Sequence, residues 1–342
     1  MNGLRNTAVP GGIGVAVGIL GTGSYLPEQV VTNVDLRSLV PDADPEWVSR
    51  KTLIEARRFA APDEATSDLA AKAASAALER AGLTAGEIDF IIVSTSTGDS
   101  PQPPTSNLVQ NLIGATGAAC FDVNAVCAGW VFALSVANGL IQTNPDAKVL
   151  VIASDIYSRI LDFGDRRTSV LFGDGAGAAV VGRVPDGFGI IDLDLSSRGE
   201  ANGLIYVKGG GSRLPASPQT VADGDHYFRM DGRGVRDFVS TAVPPALDAL
   251  LRRNELKAED VDHFVPHQAN GIMLQELVES AGFQNAHTHL TLPWYGNVGS
   301  ASLPVTLDDA NRNGSLRDGE LVLLAGFGGG MSMGACLLRW GH

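Results

Sequence analysis

The chain repeats one order of elements twice, and this repeat constrains the fold more than any other feature of the sequence. "LTAGEIDFIIVST" (83–95) aligns with "LKAEDVDHFVPHQ" (256–268), and "KVLVIAS" (148–154) aligns with "ELVLLAG" (320–326) at nearly the same offset. Each pair places a helix end, a turn and an apolar strand in matching order. Two related halves therefore explain the 342 residues better than two unrelated domains do.

Apolar runs with a strand pattern alternate with runs that have helical periodicity. The predicted strands are 89–97, 148–155 and 177–184, and the predicted helices are 67–82 and 128–142. Ser67 is available as the N-cap of the first helix. This alternation predicts an α/β fold with buried strands. We place the N-terminal half at 1–186 and the C-terminal half at 187–342.

Composition and charge argue against several function classes. The formal net charge of -13 argues against broad attraction to nucleic acid or anionic lipid. The apolar segment 13–23 is too short to span a bilayer and is interrupted by glycines. The cysteines are odd in number, which favours a reducing compartment: Cys120, Cys127 and Cys336. We expect a cytoplasmic protein without a nucleic-acid or membrane partner.

No pattern in the sequence predicts a metal site. The three cysteines have no metal-ligand spacing. His287 and His289 alternate on a predicted strand, but no third ligand accompanies them, so we interpret them as packing or surface histidines. We therefore expect no metal and no resident cofactor.

Three short segments carry the residues suited to chemistry. Cys127 in "NAVCAGW" lies at a predicted helix start, His267 in "VPHQAN" follows a predicted strand, and Asn297 in "WYGNVGSAS" lies in a turn. A helix N-terminus and an imidazole both favour a thiolate. An imidazole and a carboxamide can stabilise an oxygen that becomes negative. Together the three residues could support acyl transfer through a thioester.

Each residue alone also has an ordinary structural explanation. A free cysteine is commonly a buried packing residue, and a histidine or asparagine beside Gly or Pro is commonly a turn residue. Spacing along the chain does not by itself bring the three side chains together.

The three segments that contain Cys127, His267 and Asn297, in this order along the chain, resemble those of β-ketoacyl-acyl-carrier-protein synthase III of the thiolase superfamily. The likeness extends over most of the chain and leaves out only the first dozen residues. It is carried by "DVNAVCAGW", "VPHQAN" and "YGNVGSAS", and by "GTGSYLPEQVVTN" (21–33), "APDEATSDLA" (61–70), "FGDGAGAA" (172–179) and "AGFGGG" (325–330). The resemblance implies a thiolase-like, five-layered αβαβα fold of two pseudo-repeated halves, and a homodimer.

The resemblance also implies a mechanism. Cys127 takes an acyl group from a CoA thioester, and His267 and Asn297 then stabilise the enolate formed when a malonyl thioester loses CO₂. The enolate attacks the acyl group and gives a β-ketoacyl product. The backbone N–H groups of Cys127 and Gly329 match the oxyanion hole of the family.

Further positions match binding residues of the family. The residues that match its CoA site are Trp47, Lys51, Arg166 and Asn270. Gln102 stands at the position from which one subunit lines the acyl pocket of the other. Lys51 and Leu53 depart from the pattern, since the family commonly has arginine and glycine there. The polar Gln102 predicts a short, polar or unusual acyl group, and it points to secondary metabolism.

The helix predicted to follow His267 lacks the basic residues with which family members dock an acidic acyl carrier protein. Ile272 replaces a docking arginine, and Glu276 and Glu279 add negative charge. A carrier protein would meet like charge there, so a malonyl-CoA donor is favoured. Docking at other basic residues stays open: Arg233, Arg236, Arg252 and Arg253.

Two other functions compete with condensation. The same acyl-Cys127 could pass its acyl group to a small molecule without forming a C–C bond. The chain could also be a non-catalytic partner subunit of a synthase. Asn297 favours condensation, because stabilising an enolate gives the carboxamide a specific use. An intact Cys–His–Asn set argues against a non-catalytic subunit.

Overall fold

The computed structural model describes residues 14–341. The first dozen residues, which we place outside the resemblance, lie outside the described residues. The apolar segment that begins at residue 13 continues into a strand, Val17–Tyr25, and Gly18, Gly21 and Gly23 lie within that strand.

Two five-stranded mixed sheets organise the described part of the chain. The first has the order β1–β7–β6–β4–β5, with β1 at Val17–Tyr25, β4 at Phe90–Ser94, β5 at Ala119–Val123, β6 at Val149–Ile156 and β7 at Asp174–Arg183. The second has the order β12–β11–β13–β14–β8, with β8 at Gly189–Ser197, β11 at His263–Pro266, β12 at His287–Thr288, β13 at Leu321–Gly328 and β14 at Ser332–Arg339.

The two sheets have the same pairing pattern, which confirms the internal repeat. β4 is parallel to both β5 and β6, and β7 is antiparallel to β6 and β1. β11 is likewise parallel to β12 and β13, and β14 is antiparallel to β13 and β8. The repeated sequence segments are therefore β4 and β11, and β6 and β13. The sheets change over between Arg183 and Gly189, and a boundary at 186 stays our prediction.

Helices cover both sheets and fill the space between them, which gives five layers. The outer helices on the first sheet are α3 (Thr66–Ala81) and α4 (Thr105–Ile113), and those on the second are α8 (Gly232–Arg253) and α9 (Gly271–Ala281). The central layer contains α5 (Gly129–Thr143) and α11 (Ser302–Arg312), which pack against strands of both sheets. Packing against both sheets explains why α5 is predominantly apolar.

Shorter elements form a cap beside the two sheets. They are β2 (Gln29–Thr32), α1 (Asn33–Leu36), α2 (Pro45–Thr52), β3 (Ala56–Phe59), α6 (Arg166–Ser169), β9 (Ile205–Val207), α7 (Pro218–Ala222), β10 (Phe228–Met230) and α10 (Leu292–Tyr295). Several share a separate apolar cluster that includes Val48, Tyr157, Phe172 and Phe228. This cluster positions α2 and β10 at the rim of the cavity described below.

The predicted strands and helices agree with the structure, but the predicted N-cap of α3 is wrong. Ala65 occupies the cap position, and its N–H donates to Asp68. Ser67 is inside the first turn, where its backbone N–H and its hydroxyl both bond the Asp99 carboxylate. A carboxylate from a neighbouring loop thus replaces the side-chain cap.

Within residues 14–341, one segment has the length and composition of a membrane span, Val126–Thr143, with a mean hydropathy of 1.4. Half of it is buried inside the protein. It coincides with α5 of the central layer, so its apolar character is that of a core helix.

His287 and His289 have a histidine neighbour that the sequence pattern did not reveal. Nδ1 of His263 lies 3.0 Å from Nε2 of His289, and Nε2 of His263 lies 2.8 Å from the Glu320 carboxylate. His263 is on β11, well before the other two in the chain, and the parallel pairing of β11 with β12 brings them together. The ring nitrogens of His263 are occupied by these contacts.

Leu53 departs from the glycine of the family pattern, and it ends α2 in a left-handed conformation with φ of 59°. A Cβ added at Gly271 would lie 2.6 Å from Leu53 Cβ. Gly271→Ala should therefore lower the free energy of unfolding by about 1–3 kcal/mol, because the overlap is with the stem of the side chain. Adding Leu53→Gly should recover most of the loss, since it removes both the overlap and the strained residue.

Denaturant unfolding of the two single variants and the double variant measures this coupling. Gly139→Ala is the matched control, because that helical glycine on α5 has open space around it. Additive effects of Gly271→Ala and Leu53→Gly would contradict the contact.

Candidate active site

A cavity of about 550 Å³ lies between the two halves and the cap. Cys127, His267 and Asn297 all line it, although they are far apart in the sequence. The fold thus brings together the three residues for which spacing alone left the question open.

Cys127 lies in a 3₁₀ turn between β5 and α5, at the N-terminal end of the central helix. The preceding residue, Val126, has φ of 47°, an uncommon conformation for a β-branched side chain. This sharp turn directs the thiol into the cavity, and the side chain is only 5% exposed. The backbone N–H groups of Gly329 and of Cys127 itself point at the sulfur.

The pKa of the Cys127 thiol is raised to about 12, chiefly by burial and secondly by the charge of Asp155. The two backbone N–H groups and the Tyr157 hydroxyl lower the pKa by smaller amounts. The thiol therefore stays protonated near pH 7, and our expectation that the helix N-terminus and the imidazole would favour the thiolate is wrong. Desolvation outweighs the favourable dipoles.

His267 follows β11 directly, and its backbone N–H donates to Ala325 at 2.7 Å. The ring is buried and meets the edge of Phe327 at a centroid distance of 5.6 Å. Burial lowers the pKa of His267 to about 3, so the imidazole is neutral near pH 7. Its Nδ1 has no hydrogen-bond partner within residues 14–341, which leaves Nε2 to act in the cavity.

Asn297 is held by its backbone and by one end of its side chain. Its N–H donates to Leu171, and its carbonyl accepts from Gly173. The side-chain Oδ1 accepts the N–H of Gly299 at 2.9 Å. Because this acceptor contact fixes the amide orientation, the NH₂ group is the donor that remains for a ligand.

The glycine-rich end of β13 contacts the nucleophile turn without room for side chains. A Cβ at Gly328 would lie 3.0 Å from the sulfur of Cys127, and one at Gly329 would lie 2.9 Å from Cγ1 of Val126. Only glycine permits this approach. It brings the N–H of Gly329 close to the sulfur, and a role for this group in an oxyanion hole stays a prediction.

The residues that match the CoA site of the family lie around the mouth of the cavity. Trp47, Lys51 and Asn270 line it, and the guanidinium of Arg166 stacks over Trp47 at 5.1 Å from the ring centroid. Asn270 is the N-cap of α9, and its NH₂ group donates to the carbonyl of Lys51. Two further cations that line the cavity were missed by sequence reasoning, Arg50 and Arg167, and Arg236, which the sequence suggested only for carrier docking, lines it as well.

Aromatic rings close the inner end of the site, and no sequence signal identified them. Tyr157 stacks on Phe172 at 4.6 Å, and Phe228 meets both rings edge-on. Phe172 and Phe228 line the cavity. Gln102, our predicted acyl-pocket residue, is exposed in the single chain and does not line this cavity. Its predicted role requires a second subunit.

Comparison with known proteins agrees with this geometry. The model for "3-Oxoacyl-[acyl-carrier-protein (ACP)] synthase III" matches residues 121–199, and the model for its C-terminal part matches residues 251–340. The chain is 50% identical to an acetoacetyl CoA synthase, NphT7, of Streptomyces sp. (strain CL190), over 94% of this chain and 98% of that protein.

A β-ketoacyl-acyl-carrier-protein synthase III of Symbiobacterium thermophilum is 43% identical over 95% of this chain and 98% of its own length. The chain belongs to the 3-oxoacyl-acyl-carrier-protein synthase III family. The solved synthase III of Thermus thermophilus superposes with a TM-score of 0.87, at 38% identity, over 95% of this chain and 99% of that one. The thiolase-like fold and the ketosynthase III type of enzyme follow from these relations.

Proposed function

We propose that this ketosynthase III joins an acetyl group from acetyl-CoA to malonyl-CoA and releases acetoacetyl-CoA, CoA and CO₂. The observation that carries the proposal is the convergence of Cys127, His267 and Asn297 on one cavity. The name of the relative that is 50% identical supports the choice of product. The proposed chemistry uses thioester substrates and no resident cofactor.

In the first half-reaction, the sulfur of Cys127 attacks the acetyl carbonyl and the bond to the CoA sulfur breaks. The N–H groups of Cys127 and Gly329 stabilise the negative oxygen of the tetrahedral intermediate. Their orientation toward the sulfur supports this assignment.

In the second half-reaction, malonyl-CoA loses CO₂ and the electron pair of the broken C–C bond forms an enolate. The NH₂ group of Asn297 and the ring N–H of neutral His267 donate to the enolate oxygen. The enolate carbon attacks the acetyl carbonyl, and the bond to Cys127 breaks to return the sulfur. If the acetyl group were transferred to a small molecule instead, no enolate would form, and Asn297 would have no oxygen of this kind to stabilise.

A short acyl group fits the closed inner end of the site. Phe172 and Phe228 line the cavity and pack edge-on against each other, and we place the end of the acyl group against them. Burying additional methylenes there would require these rings to move, and overpacking of this kind is costly. Gln102 of a second subunit would complete the pocket in the homodimer that we propose.

A CoA-bound malonyl donor fits the surface charge better than an acidic carrier protein does. α9 presents Glu276 and Glu279 beside the cavity mouth, and Arg236 is paired with Glu276. Of the alternative docking residues, Arg252 and Arg253 are also paired with carboxylates. The mouth cations Arg50 and Arg167 suit the phosphates of CoA.

Replacing His267 or Asn297 with Ala should separate the two half-reactions. Acetyl transfer to Cys127 should persist, while CO₂ release from malonyl-CoA should fall at least about 100-fold, because the enolate loses a donor. Intact-protein mass and CO₂ release measure the two steps. Cys127→Ser is the control and should acquire no acetyl mass, since an alcohol ionises far less than a thiol. Equal loss of both steps in both variants would contradict these roles.

The length of the acyl group that Cys127 accepts should depend on the aromatic rings of Phe172 and Phe228. Exposed to acetyl-, butyryl- and hexanoyl-CoA, the native protein should retain mainly the acetyl mass. Phe228→Ala should shift the relative rates toward the longer groups by about 10-fold or more, as expected for apolar space of this size. Phe163→Ala, which removes a ring that does not line the cavity, is the matched control. Unchanged selectivity in Phe228→Ala would show that Phe228 does not limit the length of the acyl group.

The ratio of kcat/KM for malonyl-CoA to kcat/KM for malonyl-carrier-protein should exceed one in the native protein. Glu276→Lys with Glu279→Lys should lower it by raising carrier use, because the surface then attracts an acidic partner. The equal charge change Glu259→Lys with Asp318→Lys should leave the ratio near the native value. A native preference for the carrier protein that survives the charge reversal would contradict the proposal.

A further inference from the structure

A buried carboxylate near the nucleophile has no part in the mechanism above. Asp155 lies near the end of β6, is 0% exposed, and forms no salt bridge within residues 14–341. Its oxygens accept hydrogen bonds from Thr95, Ser96, Thr97 and Ser300 instead. A charge buried without a counter-charge costs stability, so its retention calls for an explanation.

Hydroxyl groups connect this carboxylate to the nucleophile. The Ser96 hydroxyl lies 3.1 Å from Oδ1 of Asp155 and 2.9 Å from the Tyr157 hydroxyl. The Tyr157 hydroxyl interacts with the Cys127 thiol and lowers the pKa of that thiol. Stacking on Phe172 and the edge of Phe228 hold the tyrosine ring in place. The resulting chain is Cys127, Tyr157, Ser96 and Asp155.

These four linked groups can be fully hydrogen-bonded to one another in two arrangements. With a thiol, S–H donates to Tyr157, Tyr157 donates to Ser96, and Ser96 donates to Asp155. With a thiolate, every bond reverses: protonated Asp155 donates to Ser96, Ser96 to Tyr157, and Tyr157 to the sulfur. Each hydroxyl has one donor and one free acceptor position in both arrangements. Only three protons shift between them.

We propose that Asp155 is the proton store of the nucleophile, reached through Tyr157 and Ser96. As the sulfur of Cys127 attacks the acyl thioester, the thiol proton passes to Tyr157, the Tyr157 proton to Ser96, and the Ser96 proton to Asp155. CoA leaves as a thiolate and takes its proton from water. When condensation breaks the bond to Cys127, the same three protons return and regenerate the thiol and the carboxylate.

This transfer keeps the buried charge constant. One negative charge is present in the site before and after, first on Asp155 and then on sulfur, so no second buried anion forms. Burial raises the pKa of Asp155, which makes that carboxylate a better proton acceptor than one in water. The cations of the same cavity, Lys51, Arg50, Arg167 and Arg236, cannot act as proton acceptors while charged, and the buried ring of His267 is a poor base.

The proposal rests on Cys127 being the nucleophile, and alkylation by iodoacetamide tests it without acyl transfer. The alkylation rate follows the fraction of thiolate. Internal transfer to Asp155 leaves the number of bound protons unchanged, so the native rate should change less than about three-fold between pH 6 and pH 8. An ordinary thiol would gain about ten-fold per pH unit over this range.

Asp155→Asn and Tyr157→Phe should each convert the flat profile into one that rises about ten-fold per pH unit, with a rate at pH 6 at least about ten-fold below native. Ser96→Ala breaks the same chain and tests it if Asp155→Asn fails to fold. Asp174→Asn is the matched control, since this buried carboxylate bonds Ser158 and Ala60 rather than the chain. Tyr25→Phe is the control for loss of a tyrosine hydroxyl.

Three results would overturn the proposal. Faster alkylation of Asp155→Asn near pH 7 would mean that Asp155 acts only as a repelling charge. A flat profile that persists in Asp155→Asn and Tyr157→Phe would assign the proton to another base such as His267. A native profile that rises ten-fold per unit would exclude internal transfer. None of these measurements depends on condensation, so loss of the proposed condensation would be recognised separately.

Discussion

The contact between the glycine-rich end of β13 and the turn that carries Cys127 is the interaction on which the site depends. A side chain at Gly326 would meet the backbone of Ala128 at 3.0 Å, and one at Gly328 would meet Cβ of Cys127 at 2.7 Å. Because no side chains intervene, the second sheet lies directly against the start of the central helix. The same contact brings the N–H of Gly329 close to the sulfur. Both the packing and the chemistry therefore require that these positions carry no side chain.

Burial of the site determines its electrostatics. Cys127, His267 and Asp155 are all buried, so the charged form of each is less stable than it would be in water. The thiol stays protonated and the imidazole stays neutral, while the carboxylate is retained through hydrogen bonds from neighbouring hydroxyl and backbone groups. A neutral imidazole is a useful donor to an enolate but a weak base. Under our proposal, activation of the thiol therefore depends on exchange with another buried acid rather than on a free thiolate.

Much of the fold could be predicted because the sequence repeats it. The apolar segments of β4 and β11, and those of β6 and β13, are recognisable by alignment with each other, and their matching order along the chain indicates two related halves. Cys127, His267 and Asn297 could be selected because each stands in a distinctive segment. Asp155 and Tyr157 could not, since "SDIYS" continues a strand without any unusual pattern. Their importance arises from pairing between β6 and β4, which no local signal encodes. His263 was missed for the same reason.

The repeat also explains how one cavity obtains two kinds of chemistry. Parallel strands of the two sheets end at the same cavity, and equivalent ends carry different groups. In the first half, Ser96 follows β4, and Asp155 and Tyr157 lie at the end of β6. In the second half, His267 follows β11, and Gly329 follows β13. One half therefore presents a chain of exchangeable protons behind the sulfur, and the other presents fixed donors in front of it. Because the two sets of groups belong to different halves of the repeated fold, the hydrogen-bond donors of the second half can stay fixed while protons move along the hydroxyl groups of the first half.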